Sequence, residues 1–284
     1  MKILVLGGTG MAGHTISLYF KEQGYDVTVF SIAPFSYVKS VVGDALDLNL
    51  MKNIVNDDYD AVINCIGLLN QFAEENVSQS IFLNSYLPHF IVGELKHKKT
   101  KLIHMSTDCV FAGNTGPYYE NSFCDGRTIY DRTKALGEVN DSKNLTFRNS
   151  IVGPDMNPNG IGLFNWFMQQ TGTISGYTKA IWTGVTTLTL VKAMEQAIKE
   201  NLCGLYNLVN NDSISKFDLL CLFNKHFRNN KLIINRSDTV VLDKSLKNTR
   251  CDFSFKVPSY EEMIREMKEW VNNHQTFYSH YFLK

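Results

Sequence analysis

Charge of one sign is what this sequence lacks most plainly: 28 Lys and Arg stand against 28 Asp and Glu in 284 residues, a formal net charge of +0. A chain with no basic excess has no electrostatic footprint for a phosphate backbone, so no nucleic-acid partner is expected. It also lacks an apolar run long enough to span a bilayer. The opening Met1-Lys2-Ile3-Leu4-Val5-Leu6 is too short for the core of a signal peptide and runs at once into glycines. A soluble, cytoplasmic protein is the expectation, with no membrane attachment. Cysteine is sparse and scattered: Cys65, Cys109, Cys124, Cys203, Cys221 and Cys251 form no C-x-x-C pair and have no histidine at metal spacing. That pattern fits a reduced chain with no metal centre. Internal repeats and low-complexity segments are absent, and 44% hydrophobic with 20% charged residues excludes a disordered chain.

What is present in the first half is an alternation of short β-rich apolar runs with longer helical patterns, the mark of βαβ units and a parallel sheet. Residues 3–6, 26–30, 61–65, 102–106 and 145–149 read as strands, and their lack of polar alternation fits a sheet covered by helices on both faces. Residues 13–23, 50–56, 77–98 and 130–141 read as helices. After Ile151, Gly153-Pro154, Asn157-Pro158-Asn159-Gly160 and Gly172 punctuate a loop-rich stretch. Residues 187–200 then read as a helix and 204–208 as a strand, returning to the sheet. Helices at 217–226 and 259–272 are assigned to an appended lobe, the second opened by a Ser259 to Glu262 capping box. The expected fold is α/β: a doubly wound parallel sheet of the Rossmann type over residues 1–152, completed by about 181–210. A smaller α/β substrate-binding lobe takes 153–180 and 211–284.

Gly7-Gly8-Thr9-Gly10-Met11-Ala12-Gly13 follows the first strand and opens the first helix. Glycines at this spacing allow a tight turn, backbone approach to a pyrophosphate and close packing of helix on strand, with the free N–H groups of the helix facing the phosphates. Gly7, Gly10, Met11 and Ala12 are therefore candidate dinucleotide contacts. At the end of the second strand, Phe30-Ser31-Ile32-Ala33 holds no carboxylate to accept from a ribose 2′-hydroxyl. With nothing to repel a 2′-phosphate and with Ser31 able to donate to one, NADPH is favoured and NADH is the alternative. Asp44, beside Ala45, is placed to accept from an adenine amino group, and a solvated loop carboxylate is an equal reading. Cys65 closes the third of the strands and joins the cofactor candidates.

Ser106-Thr107-Asp108 lies at the carboxyl end of a strand, where open α/β sheets place their ligands. Tyr130 and Lys134 are four apart in a helical pattern and share a face. A phenol is a weak acid, with a pKa of about 10, and a nearby ammonium brings that down, so Tyr130 with Lys134 reads as a proton-transfer pair, both also cofactor contacts, with Lys134 able to hold a ribose hydroxyl. Thr107 can hydrogen-bond the carbonyl oxygen or the alkoxide it becomes.

The order of a glycine-rich first turn, Ser106-Thr107 and Tyr130-x-x-x-Lys134 resembles the extended short-chain dehydrogenase/reductase superfamily. Within it, Ser106 to Gly113, Pro117-Tyr118-Tyr119-Glu120 and Tyr130 to Glu138 are similar to the dTDP-4-dehydrorhamnose reductase family. The resemblance implies reduction of the C4 keto group of a nucleotide-linked 4-keto-6-deoxy sugar, with Tyr130 as proton donor. It implies further that Ile66 and Gly67 line the cofactor, that Asn84 supports the site, and that Cys109, Ile151 and Trp182 stand near the substrate, with Asp108, next to Thr107, a further substrate candidate. Related 4,6-dehydratases carry Glu after Thr-Asp, and Cys109 in its place argues for simple reduction. Cys109 and Ile151 also depart from aromatic residues usual in the reductases, which suggests a bulkier sugar, such as a UDP-linked 2-acetamido one, beside the dTDP-linked alternative.

Trp182 reads equally as a stacking indole and as packing at a domain junction. Arg236 and Arg250 are candidates for a substrate diphosphate, with surface solvation the competing reading. His14, His104 and His226 have no spacing partners and read as structural. Cys109 has no paired base in sequence and reads as a pocket wall. A nucleotide-sugar 4-epimerase and a non-catalytic subunit resembling the methionine adenosyltransferase regulatory subunit are the alternative functions, and a homodimer is compatible with either.

Overall fold

Ile3, Leu4, Val5 and Leu6 are all fully buried, and a strand apolar on both faces needs helices over both. The computed structural model, which describes residues 1–282, supplies them. The strands are Lys2–Leu6 (β1), Asp26–Ser31 (β2), Lys39–Val42 (β3), Ala61–Asn64 (β4), Lys101–Met105 (β5), Leu145–Arg148 (β6), Ser150–Val152 (β7), Thr173–Trp182 (β8), Gly184–Thr186 (β9), Gly204–Asn207 (β10), Ile214–Ser215 (β11) and Ile233–Asp243 (β12). The α-helices are Met11–Glu22 (α1), Leu48–Val55 (α2), Asn70–Glu75 (α3), Val77–Ser80 (α4), Leu87–Glu94 (α5), Ile129–Leu136 (α6), Leu163–Gln169 (α7), Thr187–Lys199 (α8), Lys216–Arg228 (α9) and Tyr260–Asn273 (α10).

Seven strands form one parallel sheet in the order β10-β6-β5-β4-β1-β2-β3. The order reverses between β1 and β4, and at such a switch point a crevice opens beyond the carboxyl ends of the strands. The expected doubly wound Rossmann architecture is therefore present. A second sheet, β11-β8-β12, lies within residues 173–243, and β7 pairs with β9 beside it. One buried apolar cluster runs from β1 and α1 through α8 to α9, α10, Tyr278 and Tyr281. The end of the segment expected in the smaller lobe is thus built into the half that holds β1 and α1: Tyr278 Oη lies 2.8 Å from His14 Nε2 on α1.

Two expected helices take a different form. Residues 77–98 are not one α-helix. A π-helical turn, Ile81–Tyr86, separates α4 from α5, and the widened ring turns Asn84 inward. The helix expected over 130–141 stops at Leu136. Gly137 presses on the preceding helical segment so closely that a Cβ there would come within 1.9 Å of the Asn84 carbonyl oxygen.

Candidate active site

The switch point gathers the sequence candidates from four elements. Gly7, at φ +79°, turns the chain off β1, and its N–H donates to the Phe30 carbonyl at 2.8 Å. A Cβ on Gly7 would lie 3.2 Å from the Cys65 carbonyl carbon and from the Ile66 side chain, so the loop rests against the turn after β4. A Cβ on Gly13 would fall 2.1 Å from the Gly7 carbonyl oxygen, so only glycine lets α1 approach its own loop. Gly10 is the N-cap of α1 and no side chain caps that end. An uncapped helix start behind a glycine turn, at a parallel-sheet switch point, fits the pyrophosphate of a dinucleotide. Met11 and Ala12 form the first turn, and Gly67 lies beneath Asn84. Asp44 is exposed and accepts the Leu46 N–H, with Ala45 buried next to it. Ser31 departs from its expected role: its hydroxyl donates to the Ala33 carbonyl at 2.7 Å, so its proton is committed inside the turn and not held out to a 2′-phosphate.

Thr107 follows β5 and caps the short 3-10 turn Asp108–Val110, accepting the Cys109 N–H at 3.1 Å and donating to Asp108 Oδ1 at 3.2 Å. Across from it, α6 is started by a capping box between Thr128 and Asp131, which buries Tyr130 and Lys134 on one face. The phenol differs from expectation. Burial first, then Cys109 and Asp108, raise the Tyr130 pKa above its usual 10, while the Thr107 hydroxyl works the other way. Lys134 donates to the Met105 carbonyl at 2.6 Å and faces His104 Nε2 at 3.5 Å. Its Nζ is therefore directed to β5, and Tyr130 is held as a neutral, proton-bearing phenol. Burial likewise pushes the Cys109 thiol up to about 12, which suits a pocket wall and not a nucleophile.

Several substrate candidates are occupied elsewhere. Asn84 accepts the Leu68 N–H at 2.9 Å and donates to the Leu68 carbonyl at 3.0 Å and Thr133 Oγ1 at 3.1 Å. With both amide protons engaged, it clamps α6 and the loop after β4 and does not reach out to a ligand. Arg250 donates to both oxygens of Asp252 and to the Cys203 and Leu205 carbonyls, at 2.7 and 3.0 Å. Its guanidinium is spent pinning the edge strand β10, which corrects the diphosphate role. Arg236 is exposed and lies over the Phe217 ring. Trp182 is buried, 5.8 Å from the Tyr260 ring and tight against Gly184, so it is junction packing. Ile151, on β7, is half-buried against the main core.

Four buried polar neighbours of the site were not among the site candidates, His104 having been read as structural. Glu138 and Arg148 form a buried bidentate pair, Nε to Oε1 at 2.8 Å and Nη2 to Oε2 at 2.6 Å, and Ser106 Oγ donates to the same carboxylate at 2.6 Å. Asn64 and His104, fully buried, sit opposite each other at the ends of β4 and β5. A polar residue that closes the apolar strand β4, paired with one next to the end of β5, is a signal that sequence reading could have used.

Comparison with known proteins adds the following. The family model described as RmlD substrate binding domain matches residues 1–245. The spore coat polysaccharide biosynthesis protein SpsK of Bacillus subtilis is 27% identical over 139 residues, 48% of this chain and 47% of that protein. A probable dTDP-4,6-dihydroxy-2-methyloxan-3-one 4-ketoreductase of Streptomyces antibioticus is 30% identical over 142 residues, 49% of this chain and 45% of that protein. The matches thus span about half the length of these relatives. Among solved structures, dTDP-4-dehydrorhamnose reductase from Bacillus anthracis in complex with NADP superposes with a TM-score of 0.78 at 18% identity, over 94% of this chain and 98% of that one, which shows a shared fold.

Proposed function

Since the chain belongs to the RmlD substrate binding domain family, we propose that it is a nicotinamide-dependent oxidoreductase that reduces the C4 keto group of a nucleotide-linked 4-keto-6-deoxy sugar. Family membership agrees with the resemblance carried by Ser106 to Gly113 and Tyr130 to Glu138. The observation that carries the proposal is the convergence of Thr107, Tyr130 and Lys134 with the glycine loop on one end of the parallel sheet.

The dinucleotide would be held by Gly7, Gly10 and the first turn of α1, with Cys65 to Gly67 beneath, and would supply the hydride for the carbonyl carbon. The residues of the chain do the rest. Tyr130, kept protonated by burial, hands its phenolic proton to the oxygen that becomes the C4 hydroxyl. Thr107 would turn its hydroxyl proton from Asp108 Oδ1, where it rests at 3.2 Å, to that oxygen and keep it beside the phenol. Asn84, through Leu68 and Thr133, ties α6, which carries Tyr130, to the loop after β4. Cys109, a neutral thiol where a dehydratase needs an acid, favours reduction without loss of water. NADPH is preferred because no carboxylate stands at Phe30 to Ala33 to repel its 2′-phosphate. The smaller Cys109 and Ile151 favour a UDP-linked 2-acetamido sugar over a dTDP-linked one.

The test is net NADPH consumption with a panel of dTDP- and UDP-linked 4-keto sugars, with and without a 2-acetamido group. Stoichiometric loss of NADPH with one of them is expected. Tightly retained dinucleotide with sugar interconversion and no net loss would replace the reductase by an epimerase, and inertness towards the whole panel would overturn the proposal. A clear preference for the dTDP sugars would remove the 2-acetamido reading.

A further inference from the structure

Three buried polar side chains beside the site form a chain whose proton positions can be worked out one by one. Asn64 accepts the Ile66 backbone N–H on Oδ1 at 3.1 Å. A backbone N–H only donates, so this contact decides which end of the amide is oxygen. The donor end, Nδ2, then lies 3.2 Å from His104 Nδ1, across the β4 and β5 register. Burial first, then the charge of Lys134 and a weaker push from His89, hold the His104 pKa well below its ordinary 6.5, so the ring is neutral. A neutral imidazole that accepts on Nδ1 carries its one proton on Nε2. Nε2 faces Lys134 Nζ at 3.5 Å.

An ammonium has no lone pair and cannot accept from that N–H. An amine can: its lone pair takes the His104 proton while one of its own N–H groups donates to the Met105 carbonyl at 2.6 Å. The other groups facing Lys134 offer little counter-charge. Glu138, from the end of its own helix, favours the ammonium, but that carboxylate is already gripped by Arg148 at 2.8 and 2.6 Å and by Ser106. Cys65, from the end of β4, also favours it as a thiolate, yet burial pushes that thiol up to about 12 and leaves it neutral. Burial outweighs both and brings Lys134 down from 10.5 to about 8.

We propose that His104 is a positioning residue, locked by Asn64 in the Nε2–H tautomer, which makes Lys134 a titrating amine and not a permanent cation at the candidate site. The proposal rests on the reading of Tyr130 and Lys134 as reduction machinery for its functional meaning, but its chemistry belongs to the protein alone. The charge at the foot of the site then changes as pH passes from neutral to mildly alkaline, with burial the largest cause and the His104 N–H facing Nζ at 3.5 Å adding to it.

Nuclear magnetic resonance on the intact protein, without sugar substrate, tests both halves. Nitrogen-15 shifts of His104 should show a protonated Nε2 and an accepting Nδ1; the reverse tautomer overturns the proposal. Lysine labelled with carbon-13 at Cε, with the Lys134 signal identified by its loss in Lys134→Met, should titrate about two units below the lysine norm of about 10.4. His104→Gln places a carbonyl that accepts from the ammonium and should raise that midpoint by at least about one unit. Asn64→Asp, which draws the imidazole proton to Nδ1 and frees Nε2 to accept, should move it the same way and serves if His104→Gln does not fold. A Lys134 midpoint at the ordinary lysine value, or one that neither variant moves, overturns the proposal. Inert sugars would refute the reductase reading while leaving these titrations intact, so the two failures are distinguishable.

Discussion

Replacing Glu138 by Gln changes one atom and almost no volume, and its effect can be worked out from the contacts. The carboxylate is 8% exposed and its partner guanidinium 2%. Both oxygens accept from Arg148, one of them also from Ser106, and Arg148 lies over the Phe111 ring at 5.0 Å. A glutamine has one oxygen for these donors and turns its amide N–H groups against another, leaving a buried cation without its charge partner. Breaking a buried pair from one side costs about 3–5 kcal/mol, whereas replacing both partners by apolar groups of similar size is often close to neutral. In urea denaturation, Glu138→Gln should therefore lose about 3–5 kcal/mol, with a fall in Tm on the order of 10 °C. Glu138→Leu combined with Arg148→Met should recover most of that loss. The segment at Tyr119 and Glu120, whose carbonyls Arg148 reaches at 3.4 Å, should gain hydrogen exchange in the single variant. A single-variant loss below about 1 kcal/mol, or a double variant no more stable than the single, would refute the reasoning.

Other consequences follow from contacts at the amino-terminal end of α1. Gly13→Ala puts a methyl within 2.1 Å of the Gly7 carbonyl oxygen, so it should destabilise the fold by roughly 1–3 kcal/mol and weaken dinucleotide binding at least tenfold, measured by quenching or calorimetry. His14 is fully buried, donates to the Gly10 carbonyl and accepts from Tyr278, and burial lowers it from 6.5 to about 4. The folded protein thus refuses a proton that the unfolded chain binds below about 6.5. The stabilisation is complete above that pH and is lost as pH falls towards about 4, by about 3 kcal/mol in full. Denaturation curves across this window should show the loss, with a shallower slope in His14→Gln; an unchanged slope would contradict it.

The parallel sheet was legible because Ile3 to Leu6, Val62 to Ile63 and Leu102 to Ile103 have no polar face to misread, and the glycine loop because the positive φ of Gly7 and the close contacts of Gly8 and Gly13 call for glycine. The β11-β8-β12 sheet was not. Gly176 interrupts β8, and β12 is an edge strand whose Asn235, Arg236, Asp238 and Thr239 face solvent, so neither carries a clean apolar pattern. Side-chain commitments were the other blind spot. Ser31 spends its proton on a carbonyl two residues away, and Arg250 is held by carbonyls 45 and 47 residues upstream. Residue type suggested a ligand in each case, and only the fold revealed the internal partner. The face shared by Tyr130 and Lys134 could be read from spacing, but the burial that keeps the phenol protonated and turns the lysine towards His104 could not.

The central claim is that Tyr130 delivers the proton in a dinucleotide-dependent carbonyl reduction, and Tyr130→Phe tests it most directly when turnover and dinucleotide affinity are measured on the same preparation. Loss of one hydroxyl should lower kcat by about 100- to 10,000-fold and leave dinucleotide affinity within about threefold, since Gly7, Gly10 and α1 are untouched. Turnover equal to that of the unaltered protein, with dinucleotide still bound, would contradict the account and give the site to a regulatory role.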